Sequence, residues 1–148
     1  MQRTADHFVT GLTKSQLQVL DSLGHEAEFE ENELIVVVGE ESRMFYLLLT
    51  GSAAVEVASG FCTVFVQALE PGDAIGWSSL LPRHETLFQV RARERCTALC
   101  MEGAALARLC HVDPQLGVTL LEHALRTVAG RVRGLEARLG DFCGFKRS

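Results

Sequence analysis

The 148-residue chain has three prolines and no low-complexity tract, a composition that excludes a disordered or linker-rich protein. Its apolar runs, such as Leu34–Val38, are too short to cross a bilayer as a helix. The polar start, Met1–His7, has no apolar core of the kind a secretory signal needs. Positive charge is scarce: the net charge is −5, with 12 Arg but only 2 Lys. Duplex DNA readers need a basic patch to displace counterions, so this chain is expected to bind no nucleic acid by itself. There is no nucleophile elbow, P-loop or His-Glu-x-x-His, so no common catalytic constellation is present and a non-enzyme is expected. The five cysteines lack both zinc spacing and a Cys-x-x-Cys-His haem signature. With no leader beside them, they read as free thiols of a reducing cytoplasm, and no metal is expected.

What is present suits one domain. An apolar fraction of 47% and a charged fraction of 22% are those of an ordinary globular protein. Leu12–Leu23 reads as an amphipathic helix that Thr13 or Ser15 can cap and Gly24 ends. From Phe29 to Met101, short β-branched and aromatic runs alternate with breakers. The runs are Leu34–Val38, Phe45–Leu49, Ala53–Val57, Cys62–Val66 and Val90–Met101. Gly39, Gly51, Ser59-Gly60 and Pro71-Gly72-Asp73 separate them. About eight short strands at such spacing predict an antiparallel sandwich or barrel.

Helix returns at Ala104–His111, and Asp113-Pro114 then gives an N-cap carboxylate followed by proline at the first helical position. Val118, Leu121, Leu125, Val128, Val132, Leu135, Leu139 and Phe142 follow, alternately three and four residues apart. This is a heptad seam, and it predicts a parallel homodimer through Val118–Phe142. With Val118 at position a, Arg131 falls at g and Glu136 at e, positions that pair across such a seam. Gly130 and Gly134 fall at f and c, away from the seam.

Several segments together resemble the cyclic-nucleotide-binding domain of catabolite-activator-type (Crp/Fnr-like) regulators. They are Phe29-Glu30-Glu31-Asn32-Glu33-Leu34-Ile35, Gly39-Glu40, Phe45-Tyr46-Leu47-Leu48-Leu49-Thr50-Gly51, Pro71-Gly72-Asp73, Gly76 and Val90-Arg91-Ala92. The resemblance runs from about Phe8 to Phe142. It implies a mainly β fold, a double-stranded β-helix (jelly roll or β-roll), with an N-terminal helix and a long C-terminal dimerisation helix. It further implies a single unit over 1–148, with the β-roll at about 26–102 and the C-terminal helices at about 104–142. Such regulators carry a DNA-binding domain after the long helix, and none is expected here.

The family's ligand site is a phosphate cassette: a Gly-Glu step, a short helix whose amides face the phosphate, and an Arg followed by small residues. The corresponding stretch here is Gly76–Gln89, and it departs twice. Trp77 stands at the carboxylate position that would hold a ribose, and the clamp position near Thr86-Leu87-Phe88 has no Arg. The candidate ligand residues are Gly76, Trp77, Ser78, Ser79, Arg83, Thr86 and Arg131. Five of them have a plainer reading as well. Trp77 stacks on a ligand or plugs an empty pocket. Ser78 and Ser79 hold an anion or cap a helix turn. Arg83 reaches the site or stays a solvated loop charge. Arg131 touches a ligand or pairs with Glu136 of a partner chain. The implied function is a regulatory domain that binds a small effector, a cyclic nucleotide or another anion, and signals through its dimer helix to an effector protein that the sequence does not identify. The alternative is a ligand-free dimerisation module with a plugged pocket.

Overall fold

Turn residues set where each strand of this chain stops, and the apolar alternation sets which way it faces. The computed structural model describes residues 13–41, 43–81 and 88–144. The elements run in the order α1 (Lys14–Leu23), β1 (His25–Phe29), β2 (Leu34–Val36), β3 (Met44–Thr50), β4 (Ala53–Ala58), β5 (Thr63–Leu69) and β6 (Ala74–Ile75), then a 3-10 turn (Trp77–Leu80). β7 (Gln89–Ala92), β8 (Cys96–Glu102), α2 (Gly103–Val112) and α3 (Pro114–Cys143) complete it. The expected strand Val90–Met101 is two strands, broken at the exposed Arg93–Arg95 corner where the chain passes from one sheet to the other.

Among the described residues the strands form two four-stranded sheets, ordered β1-β8-β3-β6 and β2-β7-β4-β5, with every pairing antiparallel. This is the expected β-roll flanked by helices. β3 explains the layering. Leu48 joins Ile35, Val55, Leu69, Ile75 and Val90 between the sheets. Phe45, Leu47 and Leu49 point the opposite way, because strand side chains alternate, and meet Leu20, Leu106, Leu116 and Leu120 of the helices. Covered on both faces, β3 carries the apolar run that marks it in the sequence.

Glycine is required where the roll turns most tightly. Gly51 has φ +86°, and a Cβ there would run into the Arg95 carbonyl and come within 2.8 Å of Cys96 Sγ. The β4–β5 ladder pairs Val55 with Gln67 and Glu56 with Phe65, leaving Val66 as an extra residue. Such a bulge turns the local backbone out of the ladder. At this bulge Gly134 of α3 comes so close that a Cβ on it would overlap the Val66 carbonyl oxygen.

α1 starts with a capping box: the Thr13 hydroxyl accepts from Gln16 N, and Gln16 Oε1 accepts from Thr13 N at 2.9 Å. Asp113 caps α3 by accepting from Leu116 N at 3.2 Å, while its second oxygen accepts from Gln16 Nε2 at 3.2 Å. One carboxylate therefore starts the long helix and ties α1 to it.

Candidate functional site

α3 presents two different faces. Leu116, Gly117, Leu120, Ala124 and Arg131 are buried against the rest of the fold. Val118, Leu121, Leu125, Val132, Leu135, Leu139 and Phe142 are exposed, so the heptad seam lies open along the outside of the helix. Monomeric proteins rarely expose so continuous an apolar stripe.

The inner face brings Arg131 against the β-roll. In the sequence Arg131 is a g-position partner for Glu136, but the structure corrects that placement. Arg131 is only 6% exposed and points inward. Gly130 and Gly134 are the cause, because the absence of side chains there lets α3 settle onto Gln67 and Val66 of β5. Arg131 Nε donates to Gln67 Oε1 at 3.2 Å, and Gln67 Nε2 donates back to the Thr127 carbonyl at 3.4 Å. The guanidinium carbon lies 5.0 Å from the Phe88 ring centre and 5.8 Å from that of Trp77. Both distances are within cation–π range. No carboxylate pairs with Arg131 among the described residues. Burial pulls its pKa down to about 10, so it remains a cation at neutral pH.

The cavity beside this guanidinium measures about 20 Å³ and is lined by Gly76, Trp77, Ser78, Phe88, Arg131 and two valines, Val36 and Val90. That is room for roughly one water, against several hundred Å³ for an ordinary ligand pocket. Gly76 opens the 3-10 turn at φ +78°, where a Cβ would strike the Met44 carbonyl, and so delivers Trp77 to the cavity wall. Larger recesses lie elsewhere. One of about 590 Å³ at Gly51, Glu70 and Arg93 is open to solvent, and an apolar one of about 360 Å³ runs beside Val118 and Leu121. Neither holds a buried charge.

Of the candidate residues, Gly76, Trp77, Ser78 and Arg131 meet at this cavity. Ser79 does not line it. Its hydroxyl donates to the Gly76 carbonyl at 2.6 Å, and its side chain packs beneath Gly103. Arg83 and Thr86 lie outside the described residues. Phe88 and Gln67 were not singled out from the sequence; they reach the site from β7's approach and from β5, and nothing local marks them.

A family model described as the cyclic nucleotide-binding domain matches residues 26–113, more than half of the chain. The chain belongs to that family. No curated protein matches it. Among solved structures, the catabolite activator protein of Thermus thermophilus is 22% identical with a TM-score of 0.73, over 91% of this chain and 63% of that one. The regulatory subunit of a cAMP-independent protein kinase A from Trypanosoma brucei is 22% identical with a TM-score of 0.70, over 90% of this chain and 47% of that one. The N-terminal domain of a transcriptional regulator from Streptomyces coelicolor is 19% identical with a TM-score of 0.66, over 89% of this chain and 90% of that one. The chain thus spans less than two thirds of the first two. At these identities the likeness is one of fold, and it agrees with the β-roll and long helix described above.

No carboxylate lines the cavity among the described residues, and Glu56 on β4 is engaged elsewhere: its Oε1 accepts from Gln89 Nε2 at 2.8 Å and from Arg91 Nε at 3.3 Å. Among the described residues no three His, Cys, Asp or Glu side chains gather as a metal site. Cys96 and Cys100 are buried apolar thiols, as their place on β8 implies, and burial pushes both of them up in pKa. No helix among the described residues is long and apolar enough to cross a membrane.

Proposed function

We propose that this domain is a non-catalytic regulatory module that binds a small anionic effector beside Arg131 and passes the event to a partner through α3. The observation that carries the reading is the position of Arg131. It is a buried cation with no carboxylate partner among the described residues, on the helix whose other face is the open seam. A ligand that draws on this guanidinium acts directly on the helix, and it shifts α3 by as much as its affinity differs between two helix positions. In this reading residues 1–148 act as one unit, two copies pair in parallel through Val118–Phe142, and the output passes to an effector protein in the cytoplasm rather than to DNA.

The effector need not be cAMP. Trp77 replaces the family's ribose-holding carboxylate, and the clamp position near Thr86 has no Arg. The trypanosome relative offers a parallel: it is described as cAMP-independent, and a triply substituted form of it as bound to cAMP. The smallness of the cavity favours a second reading, a dimerisation module whose pocket Trp77 and Phe88 keep closed.

Amide exchange separates the two. Under the first reading a saturating anionic effector alters protection along 118–142 of the dimer. Under the second, no anion among nucleotides, inorganic ions and organic acids changes it, and the effector reading falls.

A further inference from the structure

We propose that the anion taken by the Arg131 cavity is a single halide ion, chloride in ordinary solution. The inference rests on the reading of this cavity as the effector site and goes further by naming the ligand's size and chemistry. Charge, hydrogen bonding and volume each select it.

Arg131 is 6% exposed, and it is the only charged residue in the lining. Its Nε donates to Gln67 Oε1, and its forked terminal nitrogens make no hydrogen bond or ion pair among the described residues. A buried charge left uncompensated is costly, so an anion that reaches the fork is held there.

Hydrogen bonding sets the kind of particle. Ser78 lines the same cavity at 5% exposure, and its hydroxyl likewise meets no partner among the described residues. Trp77 is the third polar side chain of the lining. A guanidinium and an indole only donate, and a hydroxyl can turn to donate. The acceptors near by are already engaged. The Gly76 carbonyl takes Ser79 N at 2.9 Å and the Ser79 hydroxyl at 2.6 Å, the Ser78 carbonyl takes Leu81 N at 3.0 Å, and Gln67 Oε1 takes Arg131. A water brings two protons to this ring of donors. A halide brings none and accepts from several donors at once.

Volume excludes larger anions. The cavity of about 20 Å³ exceeds the roughly 10–15 Å³ that one water needs and falls far short of a phosphate, an organic acid or a nucleotide. A halide is only slightly larger than water, so it enters the fork while Trp77 and Phe88 stay on the guanidinium.

Bromide is the probe, because a heavy halide touching an indole quenches its emission and Trp77 is the only tryptophan. The full chain is titrated by exchanging sodium gluconate for sodium bromide at constant ionic strength. The expected result is a saturable loss of emission, half complete at roughly 1–100 mM, that chloride competes away and phosphate and acetate do not. Ser78→Ala is expected to raise the half-saturation point roughly ten-fold. Arg131→Gln is expected to leave only linear, collisional quenching. Thermal unfolding shows that each variant is folded, and if Arg131→Gln is not, Ser78→Ala decides alone. If bromide quenches linearly in wild type while phosphate, acetate or cAMP shifts the emission saturably, the halide assignment is wrong and the effector site survives. Saturable quenching that chloride does not relieve, or that folded variants leave unchanged, also overturns the assignment. If no anion acts saturably, the assignment and the effector site fall together.

Discussion

Replacing Gly134 with alanine sets two effects of opposite sign against each other. In an open helix the change is stabilising by about 1 kcal/mol, because alanine is the best helix former and glycine among the worst. Here the new methyl would overlap the Val66 carbonyl oxygen and come within 3.2 Å of Val66 Cγ1. The obstacle is backbone, and it belongs to a strand held in a ladder, so it cannot turn aside as a side chain would. Overpacking of this kind costs about 1–3 kcal/mol. The expected net result for Gly134→Ala is a loss of up to about 2 kcal/mol, or a fall in Tm of up to roughly 6 °C for a domain of this size. Gly130→Ala is the internal control. Its Cβ would meet only Gln67 Nε2, at 2.7 Å, the far end of a side chain that can swing away. Swinging it loosens, without removing, the bond to Arg131, a loss the helix propensity gain offsets. Urea unfolding of both variants at one fixed protein concentration makes the comparison, since a dimer's stability depends on concentration. If Gly134→Ala is more stable than wild type, or no less stable than Gly130→Ala, then α3 does not press on the β5 bulge and the account of how Arg131 reaches the cavity fails with it.

Wild type is expected to sediment as a dimer at micromolar concentration and Leu135→Glu as a folded monomer, because two carboxylates buried at a seam position cost at least about 3 kcal/mol, over a hundredfold in dissociation constant; a monomeric wild type would refute the seam. Cyclic AMP is expected to bind with a Kd above roughly 100 µM: on the cassette reading proposed above two charge-assisted contacts are lost, at about 1.5–3 kcal/mol each against a micromolar ligand. Trp77 is the only tryptophan, and a saturable change in its emission at low micromolar cAMP that Arg83→Ala removes would overturn this. Tyr46, the sole tyrosine, is pushed up to about 12 by burial, with the Cys100 thiol beside it adding to the shift. Its folded pKa lies above the unfolded value near 10, so its contribution is complete below that pH and is lost as pH rises toward 12. Absorbance titration of the phenolate should show a midpoint near 12 in the folded protein and near 10 in urea, and equal midpoints would remove the claim.

Much of this fold is legible in the chain because its signals are local. The turn glycines Gly39, Gly51, Gly72 and Gly76 all take positive φ, as their places between apolar runs suggest. Thr13 and Asp113 cap the helices they precede. β6, only Ala74–Ile75, leaves no periodic trace and is visible only through its pairing with Tyr46 and Leu47. The site was half legible. Gly76, Trp77 and Ser78 are adjacent in sequence and arrive together on one turn. Arg131 was recognisable as a candidate, but its direction was not. Heptad phase alone puts it at the rim of the seam, and only the contact of Gly130 and Gly134 with β5 shows that this side of the helix faces inward. Gln67 and Phe88 complete the site from positions about 60 and 40 residues away from Arg131, a convergence that periodicity and propensity do not encode.

The contact at Val66 and Gln67 divides α3 unequally, and this has a mechanical consequence. Residues 127–134 are where α3 rests on β5. The stretch back to Pro114 is held in the core by Leu116, Leu120 and Ala124, so the free arm is the one forward from Gly134 to Cys143, about 13 Å at 1.5 Å per residue. Arg131 sits at the base of that arm, where the least displacement is asked of a ligand. A tilt of roughly 5° there carries its end through about 1 Å, comparable to the helix shifts of about 1–2 Å that reset subunit interfaces. In the regulatory reading proposed above, an effector that moves the guanidinium by a fraction of an ångström would therefore be read out, amplified, at Leu139 and Phe142.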